Sequence, residues 1–260
     1  MTRPQITAGL ASAMPEASAD DVIMTASDIA VQFGGLRAVD GVSLDVRRGE
    51  IVGLIGPNGA GKTTLFQVLS GFVKPTAGEV RFLGGRIDGL APELICRRGL
   101  TRTFQIVEVF ASLTVRETLT AAALVRMPLA EARKCAEATA ELVRLKNKLD
   151  LSCRRLTLPD QKALEIGKAV ATQPEMILLD EVMAGLRPSE TDDVVALIRD
   201  LRQRGITFVV VEHIMDVIMA ISDRIVVIGA GRKIADGRPG DVARNPKVIE
   251  IYLGEEFELA

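Results

Sequence analysis

The run GPNGAGKTT, Gly56 to Thr64, places three glycines, a lysine and two hydroxyls directly after the apolar stretch EIVGLI and at the start of a predicted helix. Gly56, Pro57, Asn58, Gly59, Ala60, Gly61, Lys62, Thr63 and Thr64 together have the composition of a phosphate cradle. Glycines let backbone N–H groups converge on phosphate oxygens, and the helix N-terminus adds partial positive charge. Lys62 can reach terminal phosphates, and the Thr63 hydroxyl can ligate Mg²⁺. The chemistry this spacing offers is the binding of a nucleoside triphosphate.

A second group lies farther along. MILLDE is an apolar strand ending in Asp180, placed to hold a metal shell, and Glu181, placed to orient or deprotonate water. Two acids after a strand can also do no more than cap the following helix, and the phosphate cradle in the same chain favours the chemical reading. His213, the single histidine, follows the strand ITFVVVE. Strand ends on one edge of a parallel sheet share a ligand crevice, which gives this imidazole access to a terminal phosphate and its attacking water. Gln105 in RTFQ offers a neutral amide as a further metal ligand. Phe33, in the glycine-flanked turn VQFGGL of a chain with only 8 Phe, 1 Tyr and no Trp, is a stacking platform for adenine or a core residue.

These side chains need a scaffold, and the apolar pattern supplies one. DIAVQF, VSLDV and EIVGLIG are short β-type runs separated by glycines, an antiparallel portion leading into a buried central strand. After Pro159 a helix to Ala171, the strand MILLD, a helix from Ser189 to Arg204, the strand ITFVVVE, a helix to Ala220 and the strand RIVVIG alternate. Such alternation predicts an α/β fold with a mostly parallel sheet covered on both faces. Between Thr114 and Lys148 the apolar spacing turns helical, marking an inserted helical subdomain. The small, polar residues 1–21 read as a disordered tail ahead of one domain over 22–260.

The 260 residues are 48% apolar, ample for a core, and no apolar run approaches the roughly 18 residues of a membrane span. Three cysteines without metal-ligand spacing suit a reducing compartment and idle or buried thiols. A net charge of −2 gives nucleic acid no electrostatic handle. Between Ala91 and Lys168, however, fourteen Lys and Arg face nine Asp and Glu. That excess is either solvated helix surface or a face toward an anionic membrane or acidic partner.

Taken in order, these motifs resemble the nucleotide-binding subunit of ABC transporters from about Val22 to the end of the chain. GPNGAGKTT looks like Walker A, MILLDE like Walker B with Glu181 as catalytic base, Gln105 like the Q-loop glutamine, His213 like the H-loop histidine and Phe33 like the adenine-stacking aromatic. FGGLRAVDGVSLDV, GLTRTFQ with LTVRETL, and VIEIYLGE further resemble the LivG-type subunit of branched-chain amino acid importers. The resemblance implies a P-loop NTPase fold with antiparallel β and helical subdomains, the latter spanning about 106–172. It also implies ATP and Mg²⁺ as cofactors, with Thr63, Gln105 and Asp180 around the metal. The implied partners are a LivF-type second ATPase and membrane permeases, with a periplasmic binding protein acting indirectly. The implied location is peripheral, on the cytoplasmic face of the inner membrane.

One stretch departs from the pattern. The family's signature loop, usually Leu-Ser-Gly-Gly-Gln, serves the partner's nucleotide, and here it reads Leu156, Thr157, Leu158, Pro159, Asp160. Thr157 keeps a hydroxyl, Leu158 adds bulk where close backbone approach is wanted, and Pro159 has no N–H to donate. Asp160 is the expected N-cap of the next helix. Arg187 stands where the D-loop usually carries an acid or amide. These changes imply an unequal heterodimer, this chain's Walker residues facing an intact partner loop. The alternative is a nucleotide-responsive regulatory subunit with little turnover.

Overall fold

The computed structural model describes residues 21–104 and 112–258, with side chains described as far as Tyr252. Gln105, and the expected tail apart from Asp21, lie outside the described residues.

The chain begins with a long hairpin, β1 (Val22–Phe33) and β2 (Leu36–Arg47), turning through Gly34 and Gly35. β3 (Ile51–Ile55) enters the centre of the molecule and runs through the phosphate-type loop into α1 (Lys62–Leu69). Then come β4 (Ala77–Phe82), β5 (Gly85–Arg86), α2 (Pro92–Arg98) and β6 (Leu100–Arg102). The helical portion contains α3 (Val115–Ala123), α4 (Leu129–Leu142) and α5 (Leu158–Ala171), with two single 3₁₀ turns between α4 and α5. The alternating part follows as β7 (Met176–Asp180), α6 (Pro188–Gln203), β8 (Thr207–Val211), α7 (Met215–Ile221) and β9 (Arg224–Gly229). β10 (Arg232–Gly237), α8 (Pro239–Val242) and α9 (Pro246–Glu258) complete the order.

Two sheets result. One is antiparallel, in the order β2-β1-β4-β5. The other has six strands in the order β10-β9-β3-β8-β7-β6, parallel throughout except for the β10-β9 pair. Every residue of β3, β7 and β8 is buried, as a strand covered on both faces requires. Successive side chains point to opposite faces, and the core divides accordingly. Ile51, Ile177, Leu179, Phe208 and Val210 pack toward the helices, while Val52, Leu54, Leu178, Val209 and Val211 pack toward α1 and the antiparallel sheet.

The helical portion is held by close approach. Ala132, Ala136 and Ala140 repeat every four residues down one face of α4 and are fully buried. On α5, a Cβ at Gly167 would lie 3.1 Å from Leu119 and 3.3 Å from Val143, so glycine lets α5 seat against its neighbours. Several of the basic residues in that segment are paired: Arg116 with Glu137 and Asp150, Arg144 with Asp193, Lys148 with Asp160, and Lys168 with Glu165. No helix among the described residues is long and apolar enough to cross a membrane. Cys153 is buried, Cys96 and Cys135 are half-buried, and all three are free thiols.

Candidate nucleotide site

The parallel sheet brings the chemical residues to one edge. Val211 of β8 pairs with Leu54 of β3 on one side and with Asp180 of β7 on the other. The phosphate-type loop, the Asp180–Glu181 pair and His213 therefore leave three adjacent strands at nearly the same height, with about 5 Å between neighbouring strands.

Two glycines of the loop are demanded by geometry. A Cβ on Gly56 (φ 153°) would sit 2.0 Å from the Ile228 carbonyl oxygen, and one on Gly61 (φ 102°) 2.4 Å from that of Ala38. A Cβ on Gly59 would meet nothing within 4 Å, so the loop's crown faces open space. Gly61 caps α1 without a side-chain bond, and the first turn has no acid, which leaves its N–H groups disposed toward an anion. Lys62 is buried, its Nζ donating to the Gly56 carbonyl at 2.5 Å and the Pro57 carbonyl at 2.8 Å. Those bonds hold the ammonium curled over the loop. Asn58 and Thr63 are exposed at the rim, and Thr64 and Pro57 are half-buried. Phe33 ends β1 with 51% of its surface exposed, so it is not a core residue. The hairpin that bears it touches the loop through Ala38.

Glu181 has a left-handed backbone (φ 48°), uncommon for a residue with a Cβ and concentrated at functional positions. Its N–H donates to the Val211 carbonyl at 2.9 Å, and its Oε1 lies 2.6 Å from Nε2 of His213. The expectation was that His213 would reach toward phosphate and water; the structure adds that it joins the glutamate. A hydrogen-bonded carboxylate and imidazole at the mouth of a phosphate cradle can accept and steady the proton of an attacking water.

Sequence reasoning missed three polar residues here. Arg102, on β6, donates to Asp180 Oδ2 at 2.6 Å in a pair that is nearly sealed from solvent. Its guanidinium lies 5.6–5.9 Å from the ring centres of Phe66, Phe72 and Phe104. Phe72 and Phe104 in turn meet edge to face at 5.7 Å. Glu212 accepts from the Met183 N–H at 2.9 Å, and Lys162 of α5 donates to the Glu181 carbonyl at 3.4 Å. Burial pushes the Glu212 carboxyl above its ordinary range, although the backbone N–H groups of Met183 and His213 draw it back. Burial likewise lowers the Lys162 ammonium against the pull of Glu212, Glu165 and Glu181. The available signal was a charged residue inside an apolar stretch, as in GLTRTF and FVVVE.

The signature-type loop requires a correction. Asp160 is not the N-cap of α5: Thr157 is, with Leu158 and Pro159 as the first two helical residues and Asp160 in the third position. The Asp160 N–H donates to Thr157 Oγ1 at 3.4 Å, while the Asp160 carboxylate accepts from the Thr157 N–H at 3.3 Å and its hydroxyl at 2.8 Å. Lys148 closes on the same carboxylate at 2.6 Å. Burial raises the Asp160 carboxyl, but the bonds from Lys148 and Thr157 outweigh it and hold it below its ordinary value. Proline is tolerated at this point because a first-turn N–H has no helical acceptor. Leu156 is buried and Leu158 exposed. Arg187 folds back onto Glu190 of its own helix, occupying its guanidinium there.

The family described as "ABC transporter" matches residues 39–184, and that described as "Branched-chain amino acid ATP-binding cassette transporter" matches residues 232–258. The chain is 42% identical to the high-affinity branched-chain amino acid transport ATP-binding protein BraF of Pseudomonas aeruginosa, over 90% of this chain and 98% of that protein. It is 40% identical, with the same coverage, to LivG of Escherichia coli, which bears the same description. Among solved structures, a nucleotide-free ATP-binding cassette from an ABC transporter superposes with a TM-score of 0.83 at 33% identity, over 89% of this chain and 98% of that one.

Proposed function

Because the chain belongs to the ABC transporter family of ATP-binding proteins, we propose that it binds and hydrolyses ATP to drive import of branched-chain or related hydrophobic amino acids. The observation that carries this reading is the Glu181–His213 pair, set beside Asp180 just past the ends of β7 and β8, on the sheet edge where β3 runs into the phosphate loop. The carboxyl-terminal match over residues 232–258 and the branched-chain amino acid transport function of BraF and LivG support the solute class.

In this reading the backbone of Gly56–Gly61 and the ammonium of Lys62 hold the phosphates, and Phe33 stacks on the adenine. Glu181 orients and deprotonates the attacking water, and His213 steadies it and the terminal phosphate. The Thr63 hydroxyl and the Asp180 carboxylate are hard oxygen donors, a set that suits Mg²⁺; Gln105, assigned beside them by resemblance, lies outside the described residues. When bound, Mg²⁺ supplies neutralising charge at the phosphates. Retention of the glutamate, histidine and lysine supports turnover over mere nucleotide sensing.

The chain works as one half of a heterodimer on the cytoplasmic face of the membrane. Its loop Leu156–Asp160 faces the nucleotide of a LivF-type partner, and membrane permeases receive the motion. Thr157 and Asp160 satisfy each other and Leu158 stands exposed, so this loop offers fewer donors than the usual signature. Removing one donor to a developing oxyanion costs roughly 3–4 kcal/mol, enough to make the two sites unequal. The test is reconstitution: the isolated chain turns over ATP weakly, and adding the partner ATPase and permeases restores turnover together with leucine uptake. Robust turnover by the chain alone would sink the heterodimer.

A further inference from the structure

We infer that Lys162 is a positioning residue for Glu181, tying the helix that begins at the signature-type loop to this chain's own catalytic base. The inference rests on the reading of Glu181 proposed above.

Glu181 needs support. A non-glycine residue in the left-handed region is strained and persists only where its surroundings over-determine it. Its N–H is fixed by the Val211 carbonyl. Its carbonyl accepts from the Ala184 N–H at 3.3 Å and from Lys162 Nζ at 3.4 Å. Two residues on, the Met183 N–H is fixed by Glu212. Of these supports, the Lys162 bond alone comes from a helix; the others come from β8, the residue that follows it and the turn itself. It reaches across from α5, five residues beyond the Thr157 cap.

Lys162 is an expensive residue for its position. It is 4% exposed, and burying an ammonium is strongly unfavourable unless opposite charge surrounds it. Glu165, Glu181 and Glu212 are that charge. An apolar side chain would fill the space without any such compensation; what the lysine adds is a donor aimed at the Glu181 carbonyl. The same helix turn also carries Glu165, whose carboxylate meets the backbone of Phe104, the residue before Gln105. A shift of α5 when its first turn engages the partner's nucleotide thus reaches the base through one side chain rather than through the whole domain. The coupling is between the site this chain lends and the site it owns.

The experiment compares Lys162→Met, Lys162→Arg and Glu181→Gln in the full chain assembled with its partner ATPase and permeases. Misplacing a catalytic group by about 1 Å can cost up to about 100-fold. Lys162→Met is expected to lower kcat in that range while KM for ATP and nucleotide binding by the isolated chain stay at wild-type values. Lys162→Arg, which keeps a cationic donor, is expected to recover kcat to within about threefold. Wild-type turnover in Lys162→Met, with Glu181→Gln inactive, overturns the inference and leaves the base assignment standing. Loss of nucleotide binding together with kcat, unrelieved by arginine, marks lysine as structural and overturns it equally. Normal turnover in Glu181→Gln overturns both readings. If Lys162→Met fails to fold by circular dichroism, Lys162→Gln carries the same comparison.

Discussion

Nε2 of His213 lies 2.6 Å from Oε1 of Glu181, across 32 residues of sequence, and the glutamate that makes this contact holds a left-handed backbone (φ 48°). His213 stands two residues beyond β8 and Glu181 directly follows β7, and the two strands pair in register from Met176–Thr207 to Asp180–Val211. The contact is a product of strand adjacency, and its consequences can be measured.

Replacing Glu181 with Gln keeps the shape and removes the base. ATP binding by equilibrium titration is expected to persist, while turnover by phosphate release falls about 100-fold or more, the usual range for loss of a general base. His213→Ala is expected to lower turnover in the same assay with little change in nucleotide affinity.

Arg102 and Asp180 form a buried pair, and removing one member leaves the other uncompensated at a cost of about 3–5 kcal/mol. Arg102→Met should therefore lower the thermal midpoint by roughly 10 °C in a chain of this size. In a double-mutant cycle, Arg102→Met with Asp180→Asn should be milder than the sum of the two single changes. Additive effects in calorimetry would show that the pair is not coupled.

The capping box at the start of α5 makes a sign-definite pH prediction. The Asp160 carboxyl titrates in the folded chain below its ordinary 3.8, so its contribution is fully present above that value and is lost as pH falls through the lower folded value. Asp160→Asn removes the ion pair with Lys148 and weakens the cap. At pH 7 the expected loss is about 1 kcal/mol, or roughly 2–4 °C in thermal midpoint. The deficit relative to wild type should shrink on acidification below that range.

Phe33 is exposed at the tip of its hairpin, so Phe33→Ala should cost no measurable stability. If it stacks on adenine, nucleotide affinity should weaken by about 0.5–1.5 kcal/mol, roughly 2- to 12-fold. The loss should be the same for ATP and ADP, since the ring touches neither the terminal phosphate nor the water. An unchanged affinity in fluorescence titration would return Phe33 to an idle surface residue.

Much of the scaffold was legible because its determinants are local. MILL and IVVI are unbroken apolar runs, and the strands MILLD and RIVVIG that contain them coincide with β7 and β9. The loop GPNGAGKTT was legible for the same reason, its glycines and lysine being adjacent in the chain. β10 was missed: it lies at the sheet's edge with exposed and half-buried residues, and RKIADG has no apolar alternation to announce it. The start of α5 was misassigned although Thr157-Leu-Pro-Asp160 has capping-box spacing. The acid next to proline drew the cap to the wrong residue.

The amino-acid sequence by itself determined which residues could cradle phosphate, which strands would be buried on both faces and which acid would stand at a strand end. Those properties follow from backbone conformation and periodicity over a few neighbouring residues. The tertiary structure alone decided that β8 lies between β3 and β7, which puts His213 on Glu181. It decided also that Asp180 meets Arg102 and that Glu181 receives Lys162. Strand order and helix seating depend on how two whole faces of a sheet are covered, an energy summed over the entire core. No short stretch of the chain contains that sum.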